Sequence, residues 1–349
     1  MSSDWNERLK LAATQIGIKP HADILREYLP EFLEPEVENG FSKKGNYPLK
    51  CAIFNLEQGN FIDQIKTYFK YHTELRDLDV IFGNELDRGM NRTGNRNISR
   101  EMAELLGMNY AYAIEFYLRE IDPGKNSEGF HGNTIFSRYP LSNVKVINLP
   151  IGYEWFNKEG DSRLGTRIGI FAEINPEGKG KIGLACVHLE NRATPQKRSE
   201  QLLYIIEEAQ KHFGDIPVLI GGDMNTNTVD GDNPLEMQYL RDHPEEEYLR
   251  LGSVPTYEPQ MATALGYGYS YADCNVFAKS TRRKPMGDGG TIHLNLDWFY
   301  QKGLRCKDAK KIESIFHLQA LKDAPADLKK WHGQEMSDHD IVLVTCEIA

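Results

Sequence analysis

Carboxylates, amides and imidazoles stand at the ends of apolar runs in several places along this chain. Glu85 ends Val80-Ile81-Phe82-Gly83-Asn84, Asp223 ends Val218-Leu219-Ile220-Gly221-Gly222, Asp297 lies within Leu294-Asn295-Leu296-Asp297-Trp298-Phe299, and Asp338 with His339 opens the last apolar run. Asn55, His188 and Asn225 occupy similar places. A charge beside a core is costly unless it is paired or metal-bound. One such residue reads as a cap or a turn; four acids with these amides and histidines read as a site. An oxygen-rich set suits a hard cation such as Mg²⁺ or Mn²⁺, which takes one or two carboxylates and keeps water and phosphate oxygens as its other ligands. No HExxH, GxSxG or GxxxxGK[ST] occurs, so zinc-peptidase, serine-hydrolase and nucleotide-loop chemistries lack their basic signatures. The histidines are then available to stabilise charge building on a phosphoryl group.

The elements that must position these groups alternate between two periods. From Leu49 onward, residues 50–56 and 79–83 read as strands around a helix at 61–77, followed by a helix at 97–106 and a strand at 109–117. Runs 132–137, 142–149, 166–174 and 181–188 read as consecutive strands. A helix at 195–212, a strand at 216–221 and last strands at 294–300 and 340–348 complete the pattern. There is an internal echo: Ile53-Phe54-Asn55-Leu56-Glu57 is followed by Val80-Ile81-Phe82-Gly83-Asn84-Glu85, and Cys186-Val187-His188-Leu189-Glu190 by Val218-Leu219-Ile220-Gly221-Gly222-Asp223. Each half is a strand ending in a polar group, a helix, and a strand ending in a carboxylate. Strand ends are where α/β proteins place ligands, so two halves facing each other would pool their polar ends in one cleft. The expected fold class is α/β, a four-layer α/β/β/α sandwich of two mixed β-sheets with helices outside.

Residues 1–47 read as a helical N-terminal extension, with apolar positions at Trp5, Leu9, Ala12 and Ile16 and then at Ile24, Leu25, Tyr28, Leu29 and Leu33, broken at Pro30. Residues 48–349 form the second unit. Residues 228–293, rich in proline and ending in Gly287-Asp288-Gly289-Gly290, are the least regular and suit a binding wall. With 349 residues, 40% hydrophobic and 26% charged, the chain can bury a large core. No run is apolar enough to span a membrane and no N-terminal signal is evident. Five cysteines without a CxxC pair read as free thiols of a reducing compartment, so a cytoplasmic location is expected. The net charge of −10 lowers the expectation of unspecific nucleic-acid binding, which calls for a basic surface.

Taken in order, Asn55, Glu85, His188, Asp223-Met224-Asn225 after Gly221-Gly222, Leu296-Asp297 and the terminal Ser337-Asp338-His339-Asp340 resemble the endonuclease/exonuclease/phosphatase superfamily, whose fold is like that of pancreatic deoxyribonuclease. The resemblance covers residues 50–349, and Gly132-Asn133-Thr134-Ile135-Phe136-Ser137-Arg138 is similar to a strand common in the family. It implies that Glu85, assisted by Asn55 and Asp338, holds the metal, Mg²⁺ or Mn²⁺, and that His188 and Asn225 bind a non-bridging phosphate oxygen. It further implies that Asp223 orients and deprotonates the attacking water, and that Asp297 fixes the tautomer of His339 and keeps it cationic.

The resemblance points to a metal-dependent phosphoric ester hydrolase, a phosphodiesterase or phosphatase using an activated water. One departure bears on substrate. Family nucleases often carry a basic residue two positions after the metal-binding glutamate, and Asp87 stands there. The expected substrate is therefore a small-molecule or lipid-derived phosphoester, with Arg88, Arg92 and Asn133 as candidate substrate-binding residues. The aromatic stretch 256–277, with Tyr257, Tyr267, Tyr269 and Tyr271, is a candidate wall for apolar or ring-like parts. An endo- or exonuclease of the same chemistry is the alternative, favoured if residues 88–100 and 278–286 form one basic groove. A binding module that kept the fold would be expected to have lost some of the eight polar residues. No protein partner is inferable.

Overall fold

The computed structural model describes residues 3–41, 44–118, 128–228, 234–277, 279–285 and 290–349. Its larger sheet runs in the order Glu36–Glu38, Asn109–Leu118, Phe130–Ser137, Val80–Met90, Leu49–Gln58, Ile341–Ile348, Leu304–Ile312, with two short strands attached. The smaller sheet runs Asp297–Lys302, Val218–Asp223, Ile182–His188, Ile168–Ile174, Ser142–Asn148. A separate hairpin pairs Arg282–Pro285 with Thr291–Leu294. Leu49–Gln58 is parallel to Val80–Met90, and Ile182–His188 is parallel to Val218–Asp223. Helices Ile62–Tyr71 and Pro195–Phe213 lie within the two connections, so the echo seen in the sequence is a repeated βαβ unit.

Alternation along the strands decides which side chains meet. Cys51, Ile53, Val80, Phe82, Leu184, Cys186, Leu219 and Phe299 share the core between the two sheets. Their neighbours Ala52, Phe54 and Ile81 face outward to helices Ile62–Tyr71 and Ile98–Leu106. Ala185, Val187, Val218, Ile220, Trp298 and Tyr300 face outward to helices Pro195–Phe213 and Gln260–Gly266. Helix, sheet, sheet, helix is the layering expected when each sheet has two apolar faces to bury. The N-terminal helices Ser3–Gln15 and His21–Tyr28 place Trp5, Ala12, Ile24 and Leu25 in the outer core of the larger sheet, and Glu36–Glu38 pairs with Asn109–Leu118.

Several elements differ from the sequence reading. Among the described residues, 228–293 hold four short helices, Pro234–Asp242, Pro244–Gly252, Val254–Tyr257 and Gln260–Gly266, too short for their periodicity to be read. The run at 294–300 is divided, because Thr291–Leu294 joins the hairpin while Asp297–Lys302 enters the sheet. Leu304–Ile312 is an edge strand whose lysines and arginine hid it, a common way of protecting an edge from aggregation. Among the described residues no helix is long and apolar enough to cross a membrane.

Candidate active site

The strands' parity carries the inward face onto polar residues at one end. Counting in twos from the inter-sheet core, Ile53 leads to Asn55, Phe82 to Asn84, Cys186 to His188, Leu219 to Asp223 and Phe299 to Asp297. Asn55 lies beside Asn84, and Asp223 lies between His188 and Asp297, as direct partners in the two sheets. Asn84, fully buried, ties the sheets together: its Nδ2 donates to Val187 O and to Asn133 Oδ1, each at 3.0 Å, and its Oδ1 accepts from Asp223 N at 2.9 Å. Gly222 has φ 150°, and a Cβ there would lie 1.9 Å from Val187 O and 3.2 Å from Asn84 Oδ1. Only glycine lets the two strands and the asparagine meet.

Asp223 is the hub. Its Oδ2 accepts from Asn55 Nδ2 at 3.1 Å and lies 3.5 Å from His188 Nε2 and 3.7 Å from His339 Nε2, while its Oδ1 accepts from Asn225 N at 2.9 Å. His339 Nδ1 lies 2.9 Å from Asp297 Oδ2. Burial opposes a charged His339, but Asp297, Asp223 and Asp338 outweigh it and push the imidazole up to about 10. Burial raises the Asp297 carboxyl against the pull of His339; with a close imidazolium and the Thr281 hydroxyl beside it, the shared proton sits on the histidine. Asp297 Oδ1 is buried with no hydrogen-bond partner among the described residues.

Glu85 reaches the same cluster by a bulge. Register shifts past Gly83, Glu85 has φ 56°, and the residue is half-buried. Bulges at strand ends re-aim a side chain. Burial would raise the carboxyl, but His131, His188, His339 and the Asn55 amide hold it far below the usual carboxylate range. Single ligand atoms of Glu85, His188 and Asp223 lie within 4.8 Å of one another, as do those of Asp223, Asp297 and His339. Asn225, at φ 48°, donates Nδ2 to Leu189 O at 2.9 Å.

Other expected residues are placed differently. Asp338 Oδ2 is held by Arg282 Nε at 2.9 Å and Nη2 at 2.7 Å, leaving Oδ1 3.9 Å from His339 Nε2. Arg88 pairs with Glu36 and Glu128, each at 3.1 Å. Arg92 grips Asp87 through two bonds of 2.7 and 2.8 Å. Asp87 is fully buried, also meets His131 Nδ1 at 2.8 Å, and so presents no bare charge to a substrate. Asn133 is buried between Asn84 and Glu115. Tyr269 and Tyr271 pack in the outer core against Trp298 and Tyr300 rather than forming a ligand wall.

The sequence reading missed Asn84, Glu115, Arg167, Glu57 and Arg282. Arg167 Nη1 donates to Glu115 Oε1 at 2.8 Å and lies 2.9 Å from His188 Nδ1. Burial would raise Glu115, but Arg167 and His188 draw it down to about 2. Glu57, half-buried, is raised by burial and by Asp338 and Glu85, and accepts from Asp338 N at 3.0 Å. Glu115 was readable, since it continues the inward parity of Ala111 and Ala113.

A cleft of about 380 Å³ opens beside this cluster, lined by Asn225, Asn227, Asn191, Arg192, Arg282, Lys284, Tyr153 and the edge of Leu294 and Leu296. It is polar and basic, and no carboxylate lines it among the described residues.

No family model matches the chain. It is 28% identical over 133 residues to the uncharacterized protein YbhP of Escherichia coli, a match covering 37% of this chain and 48% of that one. The chain thus spans about half the length of the curated relatives it matches. Among solved structures it is similar to an endonuclease/exonuclease/phosphatase from Beutenbergia cavernae, with TM-score 0.52 and 14% identity over 86% of this chain and 72% of that one. It is also similar to one from Bacteroides vulgatus, with TM-score 0.51 and 14% identity over 86% of this chain and 99% of that one. The protein has the endonuclease/exonuclease/phosphatase fold.

Proposed function

We propose that this protein is a divalent-metal-dependent phosphoester hydrolase, a phosphodiesterase or phosphatase acting on a small phosphoester through an activated water. The observation that carries the reading is the convergence of Glu85, His188, Asp223, Asp297 and His339 on one strand-end cluster beside a basic cleft. The donor set fits a hard cation, being carboxylates and an amide with one neutral-capable imidazole. Glu85 with Asn55, and Asp338 through Oδ1, would hold Mg²⁺ or Mn²⁺. Such an ion neutralises phosphate charge and makes a water easier to deprotonate.

The chain's own groups supply the rest. Asp223 Oδ2, ringed by Asn55, His188 and His339, takes the proton of the attacking water. His188, braced by Arg167 and Glu115, and the second Nδ2 hydrogen of Asn225 point charge at a non-bridging oxygen. His339, kept cationic and in one orientation by Asp297, stabilises the charge that grows during transfer. Positioned charge is what phosphoryl transfer needs, more than a covalent nucleophile.

The small-ester choice over a lipid-derived one or a nuclease rests on the cleft's size and polarity and on the engagement of Arg88, Arg92, Arg96 and Arg100 in ion pairs, which leaves no basic groove across 88–100. Ala278 and Met286, at the ends of the other expected groove segment, lie outside the described residues. The five free thiols favour a cytoplasmic enzyme, and residues 1–47 are proposed as a helical extension of a catalytic domain over 48–349. The test is a panel of mononucleotides, sugar phosphates, lipid head-group esters and plasmid DNA across a salt series. A small ester should win with a shallow salt dependence; efficient plasmid nicking with a steep slope would establish the nuclease instead.

A further inference from the structure

Most of the described arginines are neutralised by carboxylates, among them Arg163 by Asp161, Arg167 by Glu115, Arg198 by Glu258, Arg250 by Glu236 and Arg283 by Asp340. Two cations that line the cleft are not. The Arg192 guanidinium, on an exposed residue just before helix Pro195–Phe213, lies over the rings of Tyr153 and Trp155 at 5.6 and 5.4 Å and has no carboxylate partner among the described residues. Lys284 likewise has none. Strand alternation explains its aim, since Arg282 and Lys284 share the cleft face of the hairpin while Arg283 turns away to Glu335, Asp340 and the Ser337 carbonyl. The hairpin is itself fixed to the catalytic loop, with Arg283 N bonded to Asp338 O at 2.8 Å and Asp340 N to Thr281 O at 2.7 Å.

Unpaired positive charge is therefore presented from two walls of one cleft, in a chain of net charge −10, and Asn225 joins that cleft to Asp223. Asn191 and Asn227 add polar groups, and Tyr153 is the only aromatic ring on the lining among the described residues. A cleft of about 380 Å³ suits a compact ligand rather than a polymer.

Resting on the hydrolase reading above, we propose that the substrate carries a second anionic group, a phosphate or an equivalent oxyanion, bound between Arg192 and Lys284 while the scissile phosphate sits at Asp223 and His339. The protein is then a hydrolase of small doubly anionic phosphoesters. Arg192 and Lys284 select the substrate and take no part in proton transfer.

The test compares a series of alkanediol bisphosphates of increasing chain length with the matching alkyl monophosphates, on the Mg²⁺-loaded full chain. At one chain length the bisphosphate should show a KM lower by about tenfold or more, the effect of one charge-assisted contact pair. Arg192→Gln and Lys284→Gln should each reduce that preference, whereas Lys329→Gln, which removes the same charge from an exposed site elsewhere, should keep it. Hydrolysis of both series without any preference, or a preference unchanged in both variants, would overturn the subsite and leave the hydrolase standing. If no ester is turned over, calorimetry with inorganic pyrophosphate separates the two ideas. Binding that weakens in both variants supports the subsite while the hydrolase reading falls, and binding indifferent to both overturns the subsite too.

Discussion

In the strand pair Leu49–Gln58 and Val80–Met90, register slips past Asn55 and again past Gly83, and Glu85 takes φ 56°. In the pair Ile182–His188 and Val218–Asp223, register is unbroken through the last residues. The two βαβ units are otherwise alike, so their carboxylates differ by that bulge. Asp223 keeps the inward parity, is 2% exposed and is surrounded by an amide and two histidines. Glu85 is turned out of the parity to a half-buried place at the rim. On the proposed reading, this small local irregularity would turn one copy of a repeated unit from a buried acceptor of protons into an acid offered to a ligand. Strained backbone at such a place is stored where function needs it.

The sharpest way to break this comparison is to neutralise each acid in turn. Asp223→Asn should lower kcat by about 10³-fold, the range for losing a positioned base, and added metal should not restore it. Glu85→Gln should lose activity at low metal and recover much of it at high Mg²⁺ or Mn²⁺. A rescue of Asp223→Asn, or a Glu85→Gln enzyme indifferent to metal concentration, would show that the roles are exchanged.

The histidines sharpen the buried half. His339→Ala should cost about 10²-fold in kcat, as for removal of a preorganised charge partner. Because Asp297 and Asp223 hold His339 up to about 10, the wild-type imidazolium persists through the range where an ordinary histidine, near 6.5, loses its proton. The linkage has a sign: the stability that this raised group contributes is fully present below about pH 6.5 and is lost as pH rises towards 10. Asp297→Asn should bring the alkaline limb of the kcat profile down toward neutrality. An unmoved limb would detach Asp297 from His339.

How much of this was readable beforehand follows from range. Asn55, His188 and Asp223 were legible because an alternating apolar run ends on each, and parity needs only local information. Glu85 was read as the end of its strand, but the strand continues to Met90, and a bulge depends on the pairing partner. Arg88, Arg92, Arg96 and Arg100 stand four residues apart, a spacing that by itself reads as one basic face. Arg88 and Arg100 find their partners Glu36 and Glu128 far along the chain, which the local run does not announce, whereas Arg92 meets Asp87 and Arg96 meets Glu101 within it. The cleft cations emerged only when the hairpin brought Arg282 and Lys284 beside Arg192.

A smaller effect tests the junction that both halves share. Gly222→Ala should destabilise the fold by about 3 kcal/mol, because the new methyl meets Val187 O at a conformation that side chains rarely adopt. Thermal unfolding measures it, and a variant as stable as the parent would show that the strands can separate there at little cost.

The most direct measurement is the hydrolysis rate of a chromogenic phosphodiester by the full chain, taken before chelation, in excess chelator, and after Mg²⁺ or Mn²⁺ is returned. Activity should vanish and then reappear with either ion, since a cation held by Glu85 and Asn55 would supply the charge neutralisation opposite the phosphate. Undiminished turnover in excess chelator would contradict the account.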